Sequence, residues 1–378
     1  MIYLDNAASS HPKPEAVYRA VQAALELGAN PGRSGHRAAL EAARTVYAAR
    51  ETVARLLGVA DPARIVFTLN GTHALNLALK GVLRPGDHVV TSTMEHNSVL
   101  RPLAALERRG VEVTRLEPDL DGRVDPAAVE RALRPHTRLV VLAHASNVSG
   151  TLQPAEEVGA VCRRRGVLFL LDAAQTAGAL PLNVEAAGAD LLAAPGHKGL
   201  LGPQGTGILY VRPGLDVEPL LEGGTGTRSE SPGMPPELPE ALEAGTLNTP
   251  GIAGLGAGAG YLLERTVEAV RRHEEELLAW LLPELERIPG LTLYGPRDPA
   301  RRVAVVSFNL EGLDGARVGY ALDETYGIAV RVGLHCAPLA HRSLGSYPAG
   351  SVRASFGPFN TLEDAETLVR ALRDLAGA

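Results

Sequence analysis

The feature that most limits the fold is a long alternation of apolar, β-rich runs with helical patterns between residues 64 and 211. Strand, helix and strand repeated in this way predict βαβ units, whose mostly parallel sheet is covered by helices on both faces. Runs that are apolar throughout are typical of strands buried on both sides. The strands that we expect are 64–69, 88–91, 111–116, 139–144, 167–172 and 207–211, with a helix over 72–83.

The second half of the chain has a different texture. Residues 223–254 are rich in Gly, Pro, Thr and Ser, which predicts a functional loop region. We expect one long helix over 255–288, then strands at 303–309, 328–332 and 352–356 and a last helix over 362–375. A chain of 378 residues is too long for a single ordinary hydrophobic core, so we predict two domains, the larger one at 16–254. Residues 1–15 and 255–378 form the predicted small domain, which the long helix links to the large one.

Charge and cysteine usage exclude several functional classes. The net charge is -6 and no basic run stands out, which argues against a nucleic-acid partner. No apolar stretch approaches the ~20 residues that a membrane span needs. The two cysteines, Cys162 and Cys336, have neither a disulfide framework nor metal-type spacing. We therefore expect a cytoplasmic protein without a metal site.

Lysine is scarce, so few residues of this chain could form a Schiff base. Only Lys13, Lys80 and Lys198 are lysines among 37 basic residues, and arginine cannot form a Schiff base. Lys198 lies between glycines in a turn-rich loop. A loop lysine is more often a surface residue, but Asp172 at the carboxyl end of an expected strand favours an active site here. There Asp172 would either hold a pyridinium nitrogen protonated or cap a helix, and the sequence supports both equally.

Two glycine-containing junctions are candidate phosphate seats. Gly71 and Thr72 join a strand to a helix, where free backbone N–H groups attract phosphate, although an ordinary helix cap would look the same. No lysine follows in the position that a P-loop requires. The run at 254–259 matches the loose pattern G-x-G-x-x-A but follows no strand, so close helix packing is the better interpretation.

Three more side chains break their local patterns. His96 begins an expected helix, and either stacks on a planar cofactor or caps the helix. Arg353 interrupts an apolar strand, as a seat for a substrate carboxylate or as part of an internal salt bridge. Cys336 follows His335 and lies near Arg331, so its thiol is a candidate nucleophile, although a lone cysteine is more often inert. Cys162, inside an expected helix, is interpreted as filler.

Together these segments resemble class V pyridoxal-phosphate enzymes of fold type I, and among them the cysteine desulfurases. The likeness extends from Tyr3-Leu-Asp-Asn-Ala-Ala8 to the C-terminus. The short loop at Cys336 is similar to that of the second, selenocysteine-lyase-like group. The resemblance implies an α/β fold: a large domain with a mostly parallel seven-stranded sheet, and a smaller C-terminal α/β domain. It also implies pyridoxal 5'-phosphate as the cofactor.

The resemblance also implies roles for individual residues. Lys198 would carry the cofactor as an aldimine, Asn147 and Gln175 would lie near its ring hydroxyl, and Thr246 would reach a phosphate across a homodimer interface. The implied cofactor-binding residues are Gly71, Thr72, His96, Asn147, Asp172, Gln175, His197, Lys198 and Thr246. The implied substrate-binding residues are Arg353, Arg331 and Asn147, and the implied catalytic residues are Lys198, Cys336 and His96.

The implied reaction converts L-cysteine to L-alanine and leaves a persulfide on Cys336, with a sulfur-acceptor protein as a candidate partner. The alternatives are a selenocysteine lyase, another class V aminotransferase or epimerase, and a pyridoxal-phosphate-binding homologue without turnover. The chain departs from the family pattern at Pro195, where many members have a phosphate-binding serine, and also at His73 and Leu334.

Overall fold

The computed structural model describes residues 1–32 and 34–377, and it contains both helices and strands throughout. The strands are β1 Ile2–Tyr3, β2 Ile65–Thr68, β3 His88–Ser92, β4 Glu112–Leu116, β5 Thr137–Ala143, β6 Leu168–Asp172, β7 Leu191–Pro195, β8 Gly207–Val211, β9 Leu291–Tyr294, β10 Val305–Leu310, β11 Ile328–Ala329, β12 Arg331–Gly333 and β13 Ser351–Ser355. The α-helices are α1 Glu15–Leu27, α2 Arg37–Leu56, α3 Gly71–Val82, α4 Asn97–Glu107, α5 Pro126–Ala132, α6 Ala155–Arg165, α7 Thr249–Arg265, α8 Val267–Glu286, α9 Gly315–Tyr326, α10 Pro338–Ser343 and α11 Leu362–Ala376.

The large sheet has seven strands in the order β2-β8-β7-β6-β5-β3-β4. Strands β4, β3, β5, β6 and β7 pair in parallel, and β8 runs antiparallel to both of its neighbours. The expected mostly parallel sheet of an α/β fold is therefore confirmed. We missed β7, because its sequence Leu-Leu-Ala-Ala-Pro contains residues that are depleted in strands.

Both faces of this sheet are buried, as the continuous apolar runs predict. Alternate residues of one strand enter different hydrophobic clusters: Phe169 and Leu171 point to one side, and Leu168 and Leu170 point to the other. Because β4, β3, β5, β6 and β7 run in the same direction, their carboxyl ends lie at one edge of the sheet, where ligands bind in open α/β sheets.

The C-terminal part forms a four-stranded antiparallel sheet in the order β12-β13-β10-β9, with α8, α9 and α11 contributing to its hydrophobic cluster. The N-terminal strand β1 pairs in parallel with β11, so the first residues lie against the C-terminal part. The expected single strand over 328–332 is wrong, because residues 328–329 and 331–333 belong to different sheets. The division into domains at residue 254 stays a prediction.

The expected long helix over 255–288 is also wrong. Thr266 has a φ of 67° and separates α7 from α8, and its side chain caps α8 by accepting the N–H of Ala269. Helix α7 begins six residues earlier than expected, where Asn248 caps it. The small residues after Gly254 are confirmed as a packing surface: a Cβ on Gly256 would lie 2.7 Å from the Cβ of Ala49.

None of the helices in the described residues combines the length and hydropathy that a bilayer span requires.

Candidate active site

A cavity of about 230 Å³ opens at the carboxyl edge of the large sheet, where the C-terminal part closes over it. Loops after β2, β3, β5, β6 and β7 line it on one side, and residues of β12 and β13 line it on the other. Eleven of its lining residues were predicted from the sequence or lie beside a predicted residue: Gly71, Thr72, His96, Asn147, Asp172, Gln175, His197, Lys198, Arg331, His335 and Arg353. Cys336 and Thr246 do not line this cavity.

Asp172 ends β6 inside the protein, with 5% of its surface exposed. Its Oδ1 accepts the N–H of Ala174 at 2.9 Å. The helix-cap interpretation is wrong, because a turn follows β6 and the described residues between β6 and β7 contain no helix. Burial raises the pKa of this carboxyl, and the nearby ammonium of Lys198 opposes the rise. Among the described residues no donor is recorded for Oδ2, which leaves a buried acceptor suited to a protonated ring nitrogen.

Lys198 lies in the turn between β7 and β8, with its side chain at the cavity. Burial lowers the pKa of its amine to about 8, and Arg353 and Arg331 act in the same direction while Asp172 opposes them. No hydrogen bond or ion pair to this amine is recorded among the described residues. A partly neutral, unpartnered amine is chemically equipped to be a nucleophile and a base.

The first turn of α3 faces the cavity. Asn70 caps this helix by accepting the N–H of His73 at 2.8 Å, so the junction does contain the ordinary helix cap that the sequence allowed. The N–H groups of Gly71 and Thr72 have no partner among the described residues, which fits an anion at the helix N-terminus. A Cβ on Gly71 would lie 3.2 Å from Pro195 Cδ, so the proline forms the wall of this seat.

His96 caps α4, as one of the two sequence interpretations has it. Its Nδ1 accepts the N–H of Ser98 at 3.0 Å and lies 2.8 Å from Ser98 Oγ, which is 2.8 Å from Thr72 Oγ1. Because Nδ1 accepts a backbone N–H, the ring proton belongs on Nε2. Burial lowers the pKa of His96 to about 4, with Lys198 and Arg331 adding to the effect, so the ring is neutral near pH 7.

Arg353 is fully buried, and it does form the internal salt bridge that the sequence left open. Its Nη2 donates to Asp5 Oδ1 at 2.7 Å and its Nη1 donates to the backbone oxygen of Asn147 at 3.0 Å. Its Nε has no partner in the described residues. The guanidinium is therefore oriented by two contacts and keeps donor capacity at the cavity.

Cys336 is exposed, beside the cavity and outside its lining. Arg331 Nη2 lies 3.9 Å from its Sγ. His335 and Cys336 have φ values of 47° and 59°, a left-handed conformation that costs energy for residues other than glycine. Their carbonyls accept hydrogen bonds from Asn147 Nδ2 and the N–H of Asn97, both at 2.7 Å. The thiol therefore sits on a fixed, strained turn.

Thr246 is exposed and lies apart from the cavity. Glu243, three residues earlier, is buried and pairs with Arg50 at 2.7 Å, which anchors this segment to the large sheet through the N–H of Phe67. Thr246 could reach a cofactor phosphate only in a second subunit. The phosphate-binding role of Thr246 therefore stays a prediction.

Sequence reasoning missed three polar residues near the site. Ser98 joins His96 to Thr72, and its only sequence signal is its place two residues after the histidine at a helix start. Asp5 pairs with Arg353 across 348 residues, which no local pattern reveals. Glu95 is completely buried, with Oε2 accepting the N–H of Ala143, and burial raises its pKa to about 8.

The donor set fits pyridoxal phosphate. Within residues 1–32 and 34–377, no partner is recorded for the amine of Lys198, for one oxygen of the buried Asp172 carboxyl, or for the N–H groups of Gly71 and Thr72 at the anion seat. Gln175 and Asn147 line the same cavity, although both side chains also hydrogen-bond the protein: Gln175 Nε2 donates to the oxygen of Ala7 at 3.2 Å. His197 lines the cavity with its backbone carbonyl held by the N-terminal segment.

Comparison with known proteins gives consistent matches along the whole chain. A family model described as aminotransferase class-V matches residues 2–368. The probable cysteine desulfurase of Methanothermobacter thermautotrophicus is 40% identical over 384 residues, covering 100% of this chain and 95% of that relative. The cysteine desulfurase of Yersinia pestis is 35% identical over 392 residues, covering 99% of this chain and 93% of that relative.

Solved structures of cysteine desulfurases match this chain along its length. The apo structure of cysteine desulfurase from Thermococcus onnurineus has a TM-score of 0.92 and 35% identity, and the match covers 100% of this chain and 94% of that one. The cysteine desulfurase CsdA of Escherichia coli has a TM-score of 0.88 and 31% identity, covering 99% and 94%.

Proposed function

The chain belongs to the class-V aminotransferase family, and from that premise we propose that it is a cysteine desulfurase that converts L-cysteine to L-alanine. The observation that carries the proposal is a single cavity that gathers Lys198, Asp172 and Arg353, with the Cys336 thiol exposed beside it. An amino-acid substrate and a pyridine cofactor require an amine, a carboxyl group and a guanidinium group. Removal of sulfur requires a thiol as well.

Pyridoxal 5'-phosphate is the proposed cofactor. Lys198 would hold it covalently, Asp172 would bind its ring nitrogen, and His96 would lie against its ring. Gly71 and Thr72 would bind its phosphate, and Gln175, Asn147 and His197 complete the site. When bound, this cofactor delocalises the electron pair that is left on the substrate carbon after a proton departs.

The substrate carboxylate has one suitable seat. Arg353 is held by Asp5 and Asn147 and keeps its Nε unpartnered, and Arg331 lies at the same cavity. Two guanidinium groups in a site that is partly shielded from water bind a carboxylate strongly. They therefore fix the orientation of the bound amino acid.

Lys198 moves the proton, and His96 supplies a hydrogen bond. Lys198, with a pKa lowered to about 8 by burial, has a neutral fraction near neutral pH that takes the proton from the substrate Cα. The neutral ring of His96 carries its proton on Nε2, so it donates a hydrogen bond there and stays oriented through the bonds that Nδ1 makes with Ser98.

Sulfur removal needs Cys336. Its thiolate attacks the substrate sulfur, the new S–S bond forms, and the Cβ–S bond breaks with its electron pair going to Cβ. Protonation of that carbon gives alanine, and the persulfide stays on Cys336 for a thiol acceptor. Because that acceptor has to be reduced, the cytoplasm is the compartment that we propose.

The active unit that we propose is a two-fold dimer, in which Thr246 of the partner subunit completes the phosphate seat. The exposed position of Thr246, at the end of a segment anchored by the buried Arg50–Glu243 pair, supports this arrangement.

Purified protein given L-cysteine and a reductant tests the function. We expect alanine and sulfide in equal amounts, and we expect Arg353→Lys to raise KM about 100-fold while the bound cofactor is retained. Pyruvate in place of alanine, or turnover of L-selenocysteine alone, would contradict the desulfurase assignment.

A further inference from the structure

The three lysines of this chain have different surroundings. Among the described residues, the side-chain amine of Lys198 has no recorded hydrogen-bond partner, and neither does the side chain of Lys80 in α3. Lys13, outside every helix and strand, makes two side-chain bonds: Nζ donates to the backbone oxygen of His197 at 2.9 Å and to Ser10 Oγ at 2.6 Å. Its ammonium therefore binds the turn that presents Lys198.

Ser10 extends this contact to the next peptide group. Its Oγ donates to the carbonyl of Lys198 at 2.9 Å, and its backbone N–H donates to the carbonyl of His197 at 2.9 Å. Two consecutive carbonyls of the turn are thus held by one short N-terminal segment, which we call the N-terminal clamp and define as Ser10 and Lys13.

The ammonium of Lys13 has no carboxylate to balance it. No salt bridge to Lys13 is recorded among the described residues, and burial lowers its pKa to about 8. Arginine supplies the other basic residues of the chain apart from Lys80 and Lys198. A compact ammonium with three donors suits two close oxygen acceptors, whereas the planar guanidinium carries its donors in a fixed fork.

We propose that Ser10 and Lys13 are positioning residues that hold the His197–Lys198 turn so that the Lys198 amine stays directed into the cavity. This inference rests on the proposed function, because it gives the clamp its purpose. Neither Ser10 nor Lys13 lines the cavity, so the clamp acts through the backbone of the lysine turn.

Two variants remove the clamp from different sides. Lys13→Met keeps the side-chain length and removes the donors, and Ser10→Ala removes the bond to the Lys198 carbonyl while Lys13 stays. Lys13→Arg is the conservative variant, and Lys80→Met is the matched control, because that lysine side chain has no bonded partner to lose.

The first readout is the Lys198 amine of the full chain without cofactor. Trace acylation across a pH series, followed by peptide mass spectrometry, reports the pKa of each of the three lysines separately. In Lys13→Met and Ser10→Ala we expect the pKa of Lys198 to rise by about one unit, because a looser turn lets the amine reach water. Lys80→Met leaves it unchanged, and Lys13→Arg lies in between.

The second readout is the loaded enzyme. We expect the pH at which the absorbance of bound pyridoxal phosphate changes to shift, and kcat to fall about tenfold with little change in KM, since the substrate seat is intact. An unchanged Lys198 pKa and an unchanged absorbance titration in both clamp variants would overturn the proposal, whatever happens to stability.

If Lys13→Met does not fold, Ser10→Ala decides by the same two readouts. Failure of the parent protein to bind pyridoxal phosphate on Lys198 would overturn the proposed function, whereas the acylation comparison would still judge the clamp. The two failures are therefore distinguishable.

Discussion

The turn that carries Lys198 and the turn that carries Cys336 place a reactive side chain in opposite environments. The amine of Lys198 faces the cavity, and burial shifts its pKa, while the backbone of its turn is bonded on both sides. The thiol of Cys336 is exposed, and the unfavourable feature there is the backbone, with two consecutive left-handed residues. One site carries an electrostatic cost and the other carries a conformational cost.

This difference follows from what each group has to do. A lysine that acts as nucleophile and base must lose its proton near neutral pH, which requires that water be kept away from the charged form. A thiol that passes sulfur to an acceptor must be reached from solvent, so it cannot be buried. Its fixed turn keeps it beside the cavity, with Arg331 Nη2 3.9 Å from its Sγ.

The largest effect expected is the loss of activity in Lys198→Met. Removing the amine takes away both the covalent attachment and the base, so alanine formation from L-cysteine should fall by about 1000-fold or more. Lys80→Met is the control and should turn over normally. If Lys198→Met retained a tenth of the parent rate, the amine would not be the catalytic group.

The same substitution should stabilise the protein without cofactor. The folded pKa of Lys198, about 8, is below the ordinary value of 10.5, so the parent carries its full cost below pH 8 and loses that cost as pH rises towards 10.5. We expect Lys198→Met to raise the free energy of unfolding by about 2 kcal/mol at pH 7, since part of the side chain reaches solvent.

Urea unfolding at fixed protein concentration, repeated from pH 7 to pH 10.5, measures this difference. The gain should shrink across the upper half of that range. A gain that is independent of pH would mean that apolar packing, and not the buried charge, explains it.

The Cys336 turn should respond to backbone freedom instead. At a φ of 59°, Cys336→Gly should be about 1 kcal/mol more stable than Cys336→Ala, because only glycine enters this region without strain. Urea unfolding of the two variants gives the difference, and it should not vary with pH. Equal stabilities would contradict the claim that the backbone of the Cys336 turn is strained.

Much of this site could be predicted because several residues contradict their local pattern. Lys198 lies between glycines in a chain almost without lysine, and Arg353 interrupts an apolar strand. Such exceptions to a local pattern can be recognised in the amino-acid sequence alone. The resemblance added residues such as Asn147 and Gln175, which no local pattern marks.

Other features depend on three-dimensional proximity. Asp5 and Ser10 meet Arg353 and the Lys198 turn only after the chain has folded. The role that we propose for Thr246 requires a second subunit. In the fold, the break at Thr266 follows from one unusual backbone angle in a continuous helical pattern. Strand β7 was missed because its alanines and proline are poor strand formers that tertiary pairing overrides.

We propose that the two turns serve one reaction, in which sulfur freed at the Lys198 site arrives on Cys336. The most direct measurement is peptide mass spectrometry of the protein after brief treatment with L-cysteine and trapping of thiols. We expect one extra sulfur atom on the Cys336 peptide and none on the peptide of the buried Cys162. We also expect no extra sulfur anywhere in Lys198→Met. Persulfide on Cys162, or persulfide on Cys336 that forms equally well in Lys198→Met, would contradict this proposal.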